Sequence, residues 1–148
     1  MTWTGWLVPW ERSVHKVNEL LAPISVGELY DKISILEIKL MHVGDDENKK
    51  ANIQKELDKL LRIRHDLKLP DSLNKRADLE TVYQELKTTN LAIWKIEDKI
   101  RQHEKTQNFD MTFVAMARQI YINNDHRAVI KRKINDLLHS DIVEEKIY

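Results

Sequence analysis

The chain has 148 residues, with 24 Lys and Arg against 24 Asp and Glu and no cysteine. That length suits one domain burying roughly 70% of its unfolded surface, and the missing cysteine excludes a disulfide framework, a thiol nucleophile and a cysteine-ligated metal. Balanced charge argues against a nonspecific nucleic-acid binder, no apolar run is long enough to span a membrane, and three glycines leave little scope for a phosphate-cradling loop.

Residues 1–10, MTWTGWLVPW, hold three of the four tryptophans and show no helical period. They read as an arm in which Trp3, Trp6 and Trp10 are buried against the domain or a partner, because three exposed indoles would be an aggregation liability. Residues 11–21 place Val14, Val17 and Leu21 on one face, which predicts a short helix ended by Pro23. Residues 1–22 thus form an arm and short helix, and 23–148 a single bundle domain. Ser25 followed by Glu28 forms a capping box, in which the serine caps an amide and the glutamate reaches back. The helix it opens runs to about Val43. Leu29, Ile33, Leu36 and Leu40 line one side and Ile35 and Ile38 the other, so it is buried on two sides. Gly44 stops it and GDDEN turns the chain.

A second helix spans about 47–67, with Ile53, Leu57, Leu60 and Leu61 inward. Pro70 breaks the chain, and Asp71 or Ser72 can cap the next helix. Residues 73–104, free of glycine and proline, predict one long helix with Leu79, Val82, Tyr83, Leu86, Ile93 and Ile100 inward. TQNFD turns the chain and Asp110 caps the last helix, about 111–139, with NND as a point where it can bend. Its inward stripe is Phe113, Ala117, Ile120, Tyr121, Ala128, Ile134 and Leu138. The tail SDIVEEKIY reads as extended. The fold expected is all-α, an antiparallel bundle of about four long helices with a short N-terminal helix and a Trp-rich arm.

Polar residues interrupt these inward stripes. Asn90, Glu97 and Arg101 fall within the stripe of the long helix, and Asn124, Arg127 and Lys131 within that of the last. Unpaired charges are not left in a core, so these residues need one another, a ligand or water. One reading is a structural network that fixes helix register, with Glu97 paired to Arg127 or Lys131. The other is a pocket between helices. Its cations Arg101, Arg127 and Lys131 outnumber the lone carboxylate Glu97 and suit a small anion bearing carboxylate or phosphate. A weaker alternative is a magnesium cage of Glu28, Asp31, Glu97 and Asp98, as in acidic helical nucleotide pyrophosphohydrolases; ELYD supplies one E-x-x-D, but no E-x-x-E precedes it. The six histidines have no metal-ligand spacing. HRAVIKRK is locally basic but flanked by Asp125 and Asp136 without interleaved aromatics.

The blocks LAPISVGELYDKISILEIKL, NLAIWKIEDKIR, YINNDHRAVIKRKIN and VEEKIY occur in this order. Together they resemble a family of short, uncharacterised bacterial and phage helical proteins classed as a domain of unknown function, over roughly residues 21–148. The resemblance implies a shared fold. It also implies that Glu28, Asp31, Lys32, Glu97, Asn124, Asp125, Arg127, Glu144, Glu145 and Lys146 belong to the family's motifs. A looser similarity is to helical chorismate mutases, whose last helix NFDMTFVAMARQIYINNDHRAVIKRKI resembles and whose site is a cationic pocket between helices. Their first long helix carries arginines, where residues 25–43 here hold only Lys32 and Lys39.

The function expected is a non-catalytic cytoplasmic binding or interaction protein that self-associates or takes a protein partner. Its candidate ligand-binding residues are Glu97, Arg101, Asn124, Arg127 and Lys131. Catalytic residues are unassigned, and no metal or cofactor, nucleic acid or membrane is expected. The alternative is a small helical enzyme or binder acting on an anionic metabolite.

Overall fold

Ser25 opens α1, Val26–His42, by accepting the Glu28 amide on its Oγ at 3.1 Å. Four residues of turn follow, where Gly44 takes φ +67°, a conformation that strains any side chain. Asp46 then caps α2, Glu47–His65, by accepting the Lys49 amide at 3.0 Å. Ser72 precedes α3, Leu73–Lys105, without a side-chain capping bond. Asp110 accepts the Phe113 amide at 3.0 Å and opens α4, Met111–Leu137. The structure, a computed structural model, describes residues 18–148; among them these four helices are the regular structure and there is no strand. The all-α bundle expected from apolar spacing is what the chain forms.

The tryptophan arm and most of the short helix expected at 11–21 lie outside the described residues. Residues 18–21 of that helix are described and are not helical, with Leu20 and Leu21 exposed. The last helix runs unbroken through Asn123, Asn124 and Asp125 and ends at Leu137, before the left-handed His139.

α1 is the central element and touches α2, α3 and α4, while α3 and α4 form one long hairpin. Its apolar residues explain this placement. Ile33, Leu36 and Ile38 are buried on more than one side, as a helix apolar on two faces must be. α1 is antiparallel to α4, with Gly27 beside Asn135 and Asp31 beside Lys131. It is parallel to α3, with Tyr30 edge-on to Tyr83 and His42 against Trp94. Leu86, Ile130 and Ile134 close the core from the hairpin side. α2 covers α1 through Leu57, and its Arg64 guanidinium stands 5.9 Å from the ring centroids of both Tyr30 and Tyr83.

No residue from 91 to 129 is buried. α1 ends at the level of Trp94, so the far part of the hairpin has α3 and α4 packed only on each other among the described helices. This corrects the inward stripe expected for α4: Ala117 and Tyr121 are exposed. None of the described helices is long and apolar enough to cross a membrane.

Candidate functional site

Where α1 crosses the hairpin, three buried polar side chains meet. Asn90 Nδ2 donates to Asp31 Oδ1 and to Ser34 Oγ, both at 2.7 Å, and Ser34 Oγ donates to the Asp31 carbonyl at 2.8 Å. Its amide group is thereby oriented: with two oxygens facing Nδ2, Oδ1 is left to accept from Arg127 Nη1, at 3.2 Å. Asp31, Ser34 and Asn90 are each at most 5% exposed, and in so little water a satisfied network is stiff. Among the described residues no buried side-chain nitrogen or oxygen lacks a partner.

One turn along α4, Lys131 lies against three carboxylates: Glu28 at 2.5 Å, Glu144 at 3.2 Å and Asp31 at 3.8 Å. Burial alone would lower the Lys131 pKa, but the hydrogen bond to Glu28 and the charges of Asp31 and Glu28 outweigh it and raise the value. The tail binds back over α4 through the same group. Hydrogen bonds from Lys146 and Lys131 hold the Glu144 carboxyl below its ordinary range, Arg132 reaches Glu145 at 3.1 Å, and Tyr148 donates to Asp125 at 2.8 Å. The first amides of α1 are capped from this side: Gly27 N–H donates to Asn135 Oδ1 at 2.6 Å and Val26 N–H to Ser140 Oγ at 3.0 Å. Of the expected capping box only the serine half forms. The Glu28 carboxylate turns to Lys131 instead of reaching back.

On the other side of Asn90 a cavity of about 280 Å³ opens between α1, α3 and α4. Ile35, Ile38, Ile93 and Trp94 make its apolar wall, and Asn90, Glu97, Asp98, Arg101 and Arg127 its polar one. Glu97 pairs with Arg101 at 3.5 Å, one helical turn away. Arg127 forms no ion pair among the described residues. Its partly buried guanidinium has, among the described residues, only the bond to Asn90.

The five candidate residues are therefore divided. Glu97, Arg101 and Arg127 share this cavity. Asn124 lines a separate recess with Arg127, Lys131, Lys146 and Tyr148. The expected contact between Glu97 and Arg127 is absent, and the reason is register. Asn90 meets Arg127 and His103 meets Phe113, so Glu97 lies level with Ile120, seven residues and about 10 Å of helix from Arg127. The expected surplus of cations is also absent as one cluster, because Lys131 is claimed by Glu28, Asp31 and Glu144. The four carboxylates of the alternative magnesium cage divide the same way, Glu28 and Asp31 to Lys131 and Glu97 and Asp98 to the cavity. Among the described residues no group of three or more His, Asp or Glu could hold a metal ion.

Sequence reasoning missed Ser34, Trp94, Asn135 and Ser140. Ser34 had a signal, being a small polar residue three after Asp31 in an apolar helix. Asn135 and Ser140 had none, since they meet α1 across 108 and 114 residues of chain.

A family model described as a family of unknown function (DUF6165) matches residues 20–148. No curated protein and no solved structure matches the chain.

Proposed function

The chain belongs to that family of unknown function, DUF6165, and from this premise we propose a non-catalytic, cytoplasmic binding protein that holds a small organic carboxylate beside Arg127 and also self-associates. Residues 23–148 form the functional unit and 1–22 an appended arm. A chain without cysteine suits the reducing cytoplasm.

One observation carries the reading. Arg127 is a partly buried guanidinium without an ion pair among the described residues, held at the wall of an apolar cavity by an asparagine that two other buried groups orient. Among the described residues one of its five N–H groups is engaged, and the others have the fork geometry that receives a carboxylate. Trp94 and the isoleucines supply a surface for a flat apolar body. Glu97 and Asp98 oppose a second negative charge, which disfavours dicarboxylates and phosphate. They also oppose the mutase-like alternative, which works by excess positive charge at the reacting centre.

Benzoate, benzamide and inorganic phosphate are suitable probes in thermal unfolding. Benzoate is expected to raise the melting temperature of the wild type with concentration, as a ligand of the folded state does, while benzamide and phosphate do not. Arg127→Met is expected to abolish the benzoate effect. No shift with benzoate, or an equal shift in Arg127→Met, overturns the assignment.

A further inference from the structure

α4 is apolar on a second face, turned away from the bundle. Met111, Val114, Tyr121, Ile122 and Val129 are 78%, 40%, 54%, 42% and 55% exposed. At 100° per residue they fall within one arc of about 100°. Between Met111 and Val129 the same arc holds only two more residues, Arg118 and Asp125. A stripe of this kind marks an interaction surface, and the order of its charges says what fits it.

We propose that a second copy of the chain packs α4 against α4 in antiparallel fashion, about a two-fold axis passing midway between Tyr121 and Ile122. The proposal rests on self-association and not on the carboxylate site. That axis sets Tyr121 of each copy beside Ile122 of the other, Val114 beside Val129, and Arg118 beside Asp125. Every apolar residue between Val114 and Val129 in the stripe meets an apolar one, and both cations meet carboxylates. A parallel pairing brings Arg118 to Arg118 and Asp125 to Asp125, so the charges exclude it. An isologous interface demands this self-complementarity, and a surface for an unrelated partner has no reason to possess it. Asp125 has capacity for the contact, because Tyr148 donates to Oδ1 and Oδ2 is left to receive a guanidinium. Ile147 and Tyr148, 94% and 90% exposed, bring further apolar surface beside Asp125.

The test is sedimentation of the full-length chain over a range of concentrations. The wild type is expected to run as a dimer that dissociates on dilution, and Ile122→Glu as a monomer. Arg118→Asp and Asp125→Arg, each alone, set like charges opposite one another and should weaken the dimer by at least about tenfold. An equimolar mixture of these two single variants restores opposite charges at both contacts and should dimerise again, a result that a loss of folding cannot produce. All these positions are exposed, and unchanged circular dichroism of each variant checks that the fold is kept. A wild type that stays monomeric overturns the interface and gives the stripe to another protein or to residues 1–17. A dimer that Ile122→Glu leaves intact, or single variants that the mixture does not rescue, also overturns it. A monomeric wild type that still responds to benzoate through Arg127 leaves the carboxylate site standing.

Discussion

Gly27 lies at the closest approach of α1 to α4. A methyl group there would collide with the backbone carbonyl of Lys131 and lie 2.9 Å from Asn135 Oδ1. Backbone cannot step aside as a side-chain end can, so the helices would have to part, and parting them stretches both the Gly27–Asn135 hydrogen bond and the Glu28–Lys131 pair. Gly27→Ala is therefore expected to lower stability by about 1–3 kcal/mol, despite the gain in helix propensity that such a change brings at an open site. Urea unfolding measures it, and an unchanged or higher midpoint would contradict the close packing. The sequence made single residues legible by direction but not by height. The wheel placed Asn90, Glu97, Arg101, Arg127 and Lys131 on inward faces, yet pairing depends on the register between helices. A shift of two turns moves Arg127 from Glu97 to Asn90. For Lys131 the nearest partner is Glu28 of α1, and a further one, Glu144, lies in the tail, where no periodic pattern places it.

Helix boundaries were the best-marked features of the chain, because local chemistry fixes them. Serine, aspartate and glycine at helix ends act within a few residues, so Ser25, Gly44 and Asp110 could be read directly and each does what its position requires. The two long helices allow a comparison. Asp110 accepts the Phe113 amide, whereas Ser72 makes no side-chain capping bond. Asp110→Ala is expected to cost about 1 kcal/mol and Ser72→Ala no more than a few tenths, measured by the same unfolding experiment. Equal costs would contradict the difference in capping. Less legible was which part of α4 is covered. Phe113, Ala117, Ile120 and Tyr121 have the spacing of a core stripe, but a covering helix must be long enough to reach them. α1 has 17 residues against 33 in α3 and 27 in α4.

Across the whole molecule that mismatch of lengths produces two tiers. The inner tier holds every buried side chain among the described residues: α1 with its cap Ser25, Leu57 of α2, α3 up to Asn90 and α4 from Ile130. The outer tier is the end of the hairpin, where no residue from 91 to 129 is buried. Local opening costs least where few apolar contacts are lost. Amides of α3 beyond Trp94 and of α4 before Asn124 are thus expected to exchange with solvent deuterium through local fraying. Those near Ile33, Leu86 and Ile134 should open only with global unfolding. Native-state hydrogen exchange at low concentration tests the gradient, and equal protection along α3 would contradict it. Concentration then separates two causes of order in the outer tier. If α4 pairs with a second copy, protection between Met111 and Val129 must rise with concentration, and that of the inner tier rises with it, because global unfolding then requires the dimer to dissociate. If residues 1–17 of the same chain cover that face, protection there is high at every concentration. A hairpin left bare is unprotected throughout. The outer half of α4, whose exposed apolar stripe the inner bundle does not use, is where self-association must register if it occurs.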